Sequence, residues 1–434
     1  MNCQELREDI EKLTALKEDF AARFEDGYES GIGKIAIDEA FKTAAELSDE
    51  LLEKYLQDFA EKNPELSGGW RMSERIEGFV DMDGDIVYVG NIAALPDGSA
   101  LVGGNYGSLY HATKGPDGKF SLGERIKGFN GARGGIVSVC AIAVLPDGSA
   151  LMGGGNGVLY YATKGPDGKF SLGERIGGVK DVYGDVVDVN AIAALPDGSA
   201  LVGGDVGALY HATKGPDGNF SLSERIEGFR NARGYSVDVR AIAVLPDGSA
   251  LVGGGGRALY HATKGPDGKF GLGERIEGFK NARGNIVYVK SIATLPDGSA
   301  LVGGYEGALY HAAKGPDGKF GLGERIEGPE EMYGRAVDAK SIATLPDGSA
   351  LVGGTYGALY HATKGPDGKF GLDELIEGFK DVYGNVVNVN AIATLPDGSA
   401  LVGGDDGVLC HAAKPELSVA VLKQSLDKIV STDV

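Results

Sequence analysis

Side chains that can bind or react concentrate at a few positions of the 434-residue sequence, where tyrosine, aspartate, arginine and lysine replace one another while the surrounding residues stay constant. Tyrosine and arginine supply a large share of the binding energy at protein interfaces, and neighbouring carboxylates can serve general acid–base chemistry. The candidate binding residues are Tyr88, Asp188, Arg233, Asp238, Arg240, Arg283, Tyr288, Lys290, Tyr305, Arg335, Asp338, Lys340 and Tyr356.

Other reactive residue types occur without a catalytic or metal-binding spacing. The three cysteines have no disulfide-type or zinc-type spacing. The six histidines recur at intervals of 50 or 100 residues, which would place equivalent side chains too far apart to share one metal ion. Asp81, Asp83 and Asp85 look like part of a calcium loop but lack the spacing and distal glutamate of an EF-hand. We predict no catalytic residue, no metal ligand and no cofactor.

The elements that must position the candidate residues follow from an internal repeat. In unit 71–120 and the start of the next, segments 86–94, 100–104, 108–114 and 120–127 have strand character and are joined by short turns. Four strands per period of about 50 residues are typical of a propeller. The hexapeptide Leu-Pro-Asp-Gly-Ser-Ala begins at seven positions 50 residues apart: Leu95, Leu145, Leu195, Leu245, Leu295, Leu345 and Leu395.

This repeat predicts an all-β fold, a seven-bladed β-propeller of four-stranded antiparallel blades over residues 70–414. A solenoid is the alternative, but it would need polar capping repeats at its ends. The repeat begins with a fourth strand at 70–78 and ends with a third strand at 408–414. We therefore expect the N-terminal strand to complete the last blade, which leaves no open edge.

Glycine is unusually frequent, with 72 residues in the chain and nine in unit 71–120. Glycine adopts backbone conformations that other residues avoid, and it is common in turns. We interpret the glycines of each unit, including Gly103 and Gly104, as turn residues.

One segment of the repeat resembles a known pattern. Residues 389–412, VNAIATLPDGSALVGGDDGVLCHA, resemble a WD repeat in their hydrophobic first strand, PDG turn, small-residue second strand and DDG turn. Tyr-His stands where that family has Trp-Asp, as at Tyr110 and His111, and no Gly-His pair precedes the first strand. The repeats are also similar to ligand-binding propellers of bacterial sensor proteins. The resemblance implies the fold and a general role in binding, without a particular partner.

The flanking segments differ from the repeat in composition. Residues 1–69 carry 18 acidic and 8 basic side chains, and apolar residues recur there at steps of three and four, as in amphipathic helices. These helices would either cap the seventh blade or serve in dimerisation or partner docking, so we expect a monomer or a helix-mediated dimer. The predicted helices are 4–25, 38–47 and 49–62 in the N-terminal region 1–69 and 416–430 in the C-terminal region 415–434.

The net charge of the chain limits the classes of partner that it can bind. Sixty-two acidic residues against 42 lysines and arginines give −20, which opposes binding to nucleic acid and to anionic membrane surfaces. The N-terminus has no basic region before an apolar core, and no apolar run approaches the length of a membrane span. We expect a soluble, acidic, cytoplasmic protein.

The two rims of the predicted ring differ in how much they vary between repeats. Turns after the first and third strands share one rim, the constant rim, where PDGS and KGPDGK recur almost unchanged. Turns after the second strand and the inter-blade loops share the other, the variable rim, which carries the candidate residues. We predict that the variable rim and channel mouth bind a protein or peptide with charges of both signs, as a non-enzymatic interaction scaffold.

Two other classes of function remain open. Near-identical blades could offer up to seven equivalent pockets to a small ligand or glycan, as in a lectin. Asp188, Asp238 and Asp338 could form a carboxylate cluster near the channel, as a hydrolase or lyase would need.

Overall fold

The computed structural model describes residues 69–131, 134–328 and 338–414. In these residues the chain forms seven four-stranded antiparallel sheets, and six of them follow chain order from the first strand to the fourth. The predicted seven-bladed, four-stranded propeller is confirmed. The predicted helices at 4–25, 38–47, 49–62 and 416–430 lie outside the described residues, and so does Arg335.

We number the blades 1 to 7 from the sheet that begins at Val89. The first strands are Val89–Ala94, Val139–Val144, Val189–Ala194, Val239–Val244, Val289–Thr294, Ser341–Thr344 and Val389–Thr394. The second strands are Ala100–Gly104, Ala150–Gly154, Ala200–Gly204, Ala250–Gly254, Ala300–Gly304, Ala350–Gly353 and Ala400–Gly404. The third strands are Leu109–Lys114, Val158–Lys164, Leu209–Lys214, Leu259–Lys264, Leu309–Lys314, Leu359–Lys364 and Leu409–Ala413.

The fourth strands of blades 1 to 6 are Phe120–Leu122, Phe170–Ile176, Phe220–Leu222, Phe270–Arg275, Phe320–Arg325 and Phe370–Leu375. Blade 7 takes its fourth strand, Arg71–Arg75, from the start of the described chain. Short 3-10 turns follow the second strands of blades 4 and 7, at Gly255–Arg257 and Asp405–Gly407. No helix in the described ranges is long and apolar enough to cross a membrane.

The closing strand repeats the geometry of the covalently continuous blades. The Ile76 N–H donates to the Leu409 carbonyl oxygen at 2.7 Å, and in blade 1 the Ile126 N–H donates to the Leu109 carbonyl oxygen at 2.8 Å. The third strand of blade 7 therefore has a partner along the edge that would otherwise be open to pairing with another chain. The prediction that the N-terminal strand completes the last blade is confirmed.

Hydrophobic side chains pack mainly between consecutive blades. Leu101 of blade 1 packs in one cluster with Val139 of blade 2, and Leu401 of blade 7 packs in another with Val89 of blade 1. All four side chains are fully buried. Each sheet thus covers the apolar face of its neighbour, which a single four-stranded sheet could not do alone.

Two glycines of each unit are required by close approaches: Gly103 faces the next blade, and Gly104 faces the Tyr88 carbonyl oxygen of its own blade. Gly103 and Gly104 end the extended second strand Ala100–Gly104 and do not form a turn, so their interpretation as turn residues was wrong. A Cβ atom on Gly103 would lie 2.7 Å from Cγ1 of Val139, and one on Gly403 would lie 2.3 Å from Cγ1 of Val89. These separations are far inside van der Waals contact, so only glycine fits where the next blade approaches.

The constant rim is held by a polar arrangement that we call the clasp, defined in blade 1 by Asp97, Ser99 and His111 with Lys164 of blade 2. The Ser99 hydroxyl donates to Asp97, so it accepts from the His111 Nε2–H, 2.8 Å away. Lys164 Nζ lies 2.6 Å from Asp97 Oδ2. Partial burial raises the pKa of Asp97, but hydrogen bonds from Lys164 and Ser99 outweigh this effect and hold the pKa at about 2.

Equivalent lysine–aspartate pairs join other consecutive blades, with N···O distances of 2.6 to 3.6 Å. One of them, Lys114 with Asp397, joins blade 1 to blade 7 across the closure of the ring. The others are Lys214 with Asp147, Lys264 with Asp197, Lys314 with Asp247 and Lys364 with Asp297.

Removal of the closing strand should destabilise the ring. A chain that begins at residue 79 loses the buried side chains of Trp70 and Ile76, and we expect its free energy of unfolding to fall by about 3 kcal/mol or more. The control ends in Lys414-Gly-Pro-Asp-Gly-Lys followed by residues 70–78, which restores the strand through the turn of the other blades. Urea unfolding of both chains measures the effect, and equal stability of the two would contradict strand closure.

The clasp histidines should make the fold sensitive to mild acid. Burial, with a smaller contribution from the adjacent lysine, lowers the pKa of His111, His211 and His261. A histidine in the unfolded chain has a pKa of about 6.5. As the pH falls below that value, the unfolded chain binds more protons than the folded chain does. The free energy of unfolding therefore decreases from the histidine pKa of the unfolded state down through the lower pKa of the folded state.

Blade 2 supplies the matched substitution, because Tyr161 stands at the same position and contacts Phe220 as the histidines contact their phenylalanines. In His111→Tyr/His211→Tyr/His261→Tyr the free energy of unfolding should fall less between about pH 7 and pH 5 than in the wild type. Each histidine can contribute at most about 1.4 kcal/mol per pH unit. Parallel pH profiles for the two chains would be the contrary result.

Candidate functional site

The central channel opens at the variable rim into a cavity of about 640 Å³. One position in the first strand of every blade, or just before it, faces this space. Its occupants are Gly90, Cys140, Asn190, Arg240, Lys290, Lys340 and Asn390. We call this cavity the channel mouth. Its seven equivalent wall positions share one backbone arrangement and differ in chemistry.

The channel mouth brings together five of the predicted binding residues, Tyr88, Arg240, Lys290, Tyr305 and Lys340. Three others, Arg233, Arg283 and Tyr356, are exposed on the variable rim and do not line the cavity. The other predicted binding residues that the structure describes lie beside the cavity wall and contact neighbouring loops. They are Asp188, Asp238, Asp338 and Tyr288.

Those three aspartates hold the backbone of the rim. Each one accepts a hydrogen bond at Oδ1 from a backbone N–H in the second-strand turn of the preceding blade, and Asn388 does the same in blade 7. The pairs are Asn156 with Asp188 at 2.7 Å, Val206 with Asp238 at 3.2 Å, Glu306 with Asp338 at 2.7 Å and Tyr356 with Asn388 at 3.0 Å. Each carboxylate is thus already used to tie two blades together, which the sequence analysis did not anticipate.

The second-strand turns, four of which these side chains hold, are strained. The second residue of each turn has a left-handed backbone, which residues other than glycine seldom adopt. At this position φ is 50° for Tyr106, 55° for Asn156, 46° for Val206, 52° for Glu306, 53° for Tyr356 and 51° for Asp406. Backbone strain of this kind is retained where neighbouring structure fixes it, and it is frequent at functional sites.

The cations of the channel mouth differ in how they are paired. Arg240 Nη2 lies 2.6 Å from Oδ2 of Asp238, so its charge is matched by its own neighbour. Lys340 Nζ lies 3.4 Å from Oδ1 of Asn390, which is a neutral acceptor. Lys340 therefore brings positive charge to the cavity without an ion pair among the described residues.

Lys290 belongs to an aromatic cluster. Its Nζ atom lies 5.2 Å from the centre of the Tyr305 ring, within the range of a cation–π contact. The Tyr305 ring packs edge-on against Tyr288, with ring centres 6.2 Å apart. The cluster places a lysine charge against an aromatic wall.

Two carboxylates at or beside the mouth, Asp405 and Asp205, are bound by amide groups. Asp405 accepts hydrogen bonds from the side-chain amides of Asn388 and Asn390, both at 2.7 Å. Asp205 accepts one from Asn190 at 2.8 Å. Burial, followed by the charges of neighbouring aspartates, raises the pKa of Asp205.

Two more wall groups are neutral at physiological pH. Burial raises the pKa of Cys140 to about 11, with a further contribution from Asp188 and Asp205, so the group is a thiol and a weak nucleophile. Burial also raises the pKa of Tyr88, as do Cys140 and Asp405.

Large apolar side chains are exposed almost entirely on the variable rim. In the described part of the chain, Leu375 alone among them lies elsewhere. The most exposed are Tyr383 at 86% and Tyr183 at 81% of their full accessible area. The others are Met82, Ile86, Tyr106, Ile136, Val186, Tyr235, Ile286, Tyr288, Tyr356, Val382 and Val386. Concentrated exposed apolar surface of this kind marks interaction sites.

The constant rim contains serine, histidine and aspartate without the geometry of a catalytic triad. In a triad the carboxylate orients the histidine, which in turn activates the serine. In the clasp, Asp97 instead binds Ser99, whose hydroxyl accepts from His111. Among the residues that the structure describes, no group of three or more His, Cys, Asp or Glu side chains could hold a metal ion.

The seven four-stranded sheets place the chain in one class of fold, the seven-bladed β-propeller. The WD40 propeller domain of Doa1 superposes with a TM-score of 0.55 at 14% identity, covering 80% of this chain and 97% of that one. The expected resemblance to WD-repeat propellers is confirmed at the level of the fold.

A second similar structure is the extracellular domain of a protein assigned as a hybrid two-component system of B. thetaiotaomicron. Its TM-score is 0.54 at 16% identity, with 79% of this chain and 39% of that one covered. No protein-family model matches the chain, and no curated protein does.

The binding residues predicted from the sequence leave out several residues of the variable rim. Tyr183 and Tyr383, the most exposed tyrosines, stand at one equivalent loop position and could have been selected on that ground. Asp405 and Asn390 were also omitted, although both vary between repeats. Their mutual hydrogen bond joins positions 15 residues apart. Asn190 and Asp205 occupy the same two positions in blade 3 and form the same bond, so the joint occurrence of the two residue types was a signal in the sequence.

Relief of the turn strain should stabilise the ring. Val206 is β-branched and has φ of 46°, so Val206→Gly should raise the free energy of unfolding by about 1 kcal/mol. Val202→Gly, four residues earlier in the buried second strand, is the control and should lower it. Urea unfolding measures both, and destabilisation by Val206→Gly would show that the turn is not strained.

Proposed function

We propose that this propeller is a non-enzymatic interaction scaffold whose variable rim binds a protein or peptide. The observation that carries the proposal is the concentration of exposed tyrosine and aliphatic side chains on this rim. Tyrosine buries a large area at small entropic cost and is enriched where proteins bind one another. On the constant rim, by contrast, the repeated polar side chains are engaged in clasps.

The charges of the rim indicate the composition of the partner. Positive charge lies at blades 4 and 5, on Arg230, Arg233, Arg240, Arg283 and Lys290. Negative charge lies at blades 7 and 1, on Asp81, Asp83, Asp85, Asp405 and Asp406. A partner with groups of both signs would match these arcs, and such complementarity favours one orientation of binding.

Strained turns support the same role. Aspartates of the next blade hold the second-strand turns of blades 2, 3 and 5, and Asn388 holds that of blade 6. Tyr356 therefore projects from a fixed backbone position. A preorganised surface loses less conformational entropy on binding than a flexible one.

Differences between the blades favour one partner per ring over repeated small-ligand sites. The seven equivalent positions of the channel mouth carry five residue types, so no identical pocket recurs around it. The three aspartates that a hydrolase or lyase would use are each hydrogen bonded to a turn. Both observations support the scaffold over the alternatives.

Selection from a displayed library of random peptides tests the proposal. Selected peptides should bind the wild type with one peptide per ring, and Tyr183→Ser/Tyr383→Ser should weaken binding by about tenfold or more, which corresponds to about 1.4 kcal/mol. Isothermal titration measures affinity and stoichiometry together.

The matched control is Lys169→Ser/Lys369→Ser, which changes two exposed side chains of the constant rim. It should leave the affinity unchanged. If the selected peptides lose affinity for this control and keep it for the tyrosine variant, the binding surface is the constant rim and the proposal is wrong.

A further inference from the structure

We propose that the channel mouth is a carboxylate-binding site, in which the ammonium groups of Lys290 and Lys340 hold an acidic group of the peptide bound on the variable rim. This inference rests on the proposed function and adds the chemistry of the anchoring residue. Four observations carry it: the local charge, the pairing of the cations, the shape of the mouth and its aromatic wall.

The local charge opposes the charge of the whole chain. The wall of the 640 Å³ cavity carries three cations, Arg240, Lys290 and Lys340, and one carboxylate, Asp405. The chain as a whole has a net charge of −20. A concave site lined by one sign of charge concentrates its field and attracts groups of the opposite sign.

Pairing inside the mouth leaves two of these cations available. Asp238 matches Arg240, and two asparagine amides already bind Asp405. Neither Lys290 nor Lys340 forms an ion pair within the described residues, since one faces a tyrosine ring and the other an amide oxygen.

One further carboxylate lies near these lysines. Asp338 interacts electrostatically with Lys290 and Lys340, but its Oδ1 atom is used by the Glu306 N–H. It therefore offsets part of the lysine charge without occupying the cavity. Lysine ammonium groups carry three donors each, so both can still donate to an incoming oxygen.

The opening of the mouth onto the variable rim and its wall chemistry favour an acidic side chain or terminus of a peptide as the occupant. The mouth opens on the rim that carries the exposed tyrosines, so a peptide lying there can extend one acidic group into it. The methylene groups of a glutamate would pack beside Tyr305, while the carboxylate reaches the two lysines. Charge-assisted hydrogen bonds of this kind are about twice as strong as neutral ones.

Fluorescence anisotropy with defined peptides tests the inference at about physiological ionic strength. The probes are three labelled hexapeptides: hexaglutamine with blocked ends, the same blocked peptide with one central glutamate, and hexaglutamine with a free C-terminal carboxylate. We expect at least one carboxylate-bearing probe to bind about tenfold more tightly than blocked hexaglutamine. Preference for the glutamate-containing probe identifies a side chain as the source, and preference for the free terminus identifies the C-terminus.

Lys290→Gln/Lys340→Gln should abolish this preference. The matched control is Lys280→Gln/Lys380→Gln, which removes the same charge from two exposed lysines of the same rim outside the mouth and should keep the preference. Far-ultraviolet circular dichroism and thermal unfolding establish that both variants fold. Equal binding of all three probes, or equal losses in the two variants, would overturn the inference.

Failure of the carboxylate-binding inference can be distinguished from failure of the proposed function. If library-selected peptides bind Lys290→Gln/Lys340→Gln as tightly as the wild type but lose affinity for the tyrosine variant, the rim binds peptides without a carboxylate anchor. In that case this inference fails and the proposed function stands.

Discussion

Consecutive blades approach each other so closely at the end of each second strand that no side chain fits between them. A Cβ atom on Gly153 would lie 2.3 Å from Cγ1 of Val189, and the same contact joins Gly403 of blade 7 to Val89 of blade 1. A glycine stands at this contact in every blade, and in blade 5 Gly303 meets Ala339 where the other blades meet a valine. The contact therefore limits how far apart consecutive blades can lie all the way to the closure, where the strand Arg71–Arg75 completes the last sheet. The channel, the rims and the positions that face them all depend on this approach.

The difference between the rims follows from what each side chain contacts. On the constant rim, Asp97 binds Ser99 and the lysine of the next blade, so a substitution there breaks a bond between blades. At the channel mouth, the side chain of Lys290 faces the cavity, and a substitution there costs the fold little. The ring can therefore change the chemistry of one end without losing the contacts that hold it closed, and this end is where the repeats differ.

The sequence predicted the ring well, because a 50-residue period with four strand segments is compatible with few folds. It predicted single side chains less well. Gly103 and Gly104 were taken for turn residues because glycine is ambiguous between a turn and a close approach, and only the position of Val139 decides. Asp188 was taken for a free binding group because its partner, the backbone N–H of Asn156, lies in the preceding blade. Contacts between repeats leave little trace within one repeat. The pairing of Arg240 with Asp238, two residues apart on the strand, was open to inspection and was missed because both were considered as ligands.

The chain is negative overall, whereas its channel mouth is positive, and this difference affects which peptides can bind. At physiological ionic strength the field of a distant charge is screened over about 8 Å, so the acidic surface acts on an approaching anion mainly at the rim. A peptide that is acidic throughout meets exposed rim acids such as Asp83, Asp85 and Asp406 and is repelled before it reaches Lys290. A peptide with one acidic group among apolar or basic residues is not repelled, and it can place that group between the lysines while its remaining residues contact the tyrosines. The negative charge of the rim therefore disfavours the wrong partner, which is one way in which specificity is achieved at interfaces. The arrangement also needs the carboxylate of the cavity wall, Asp405, to be occupied, and the amides of Asn388 and Asn390 bind it.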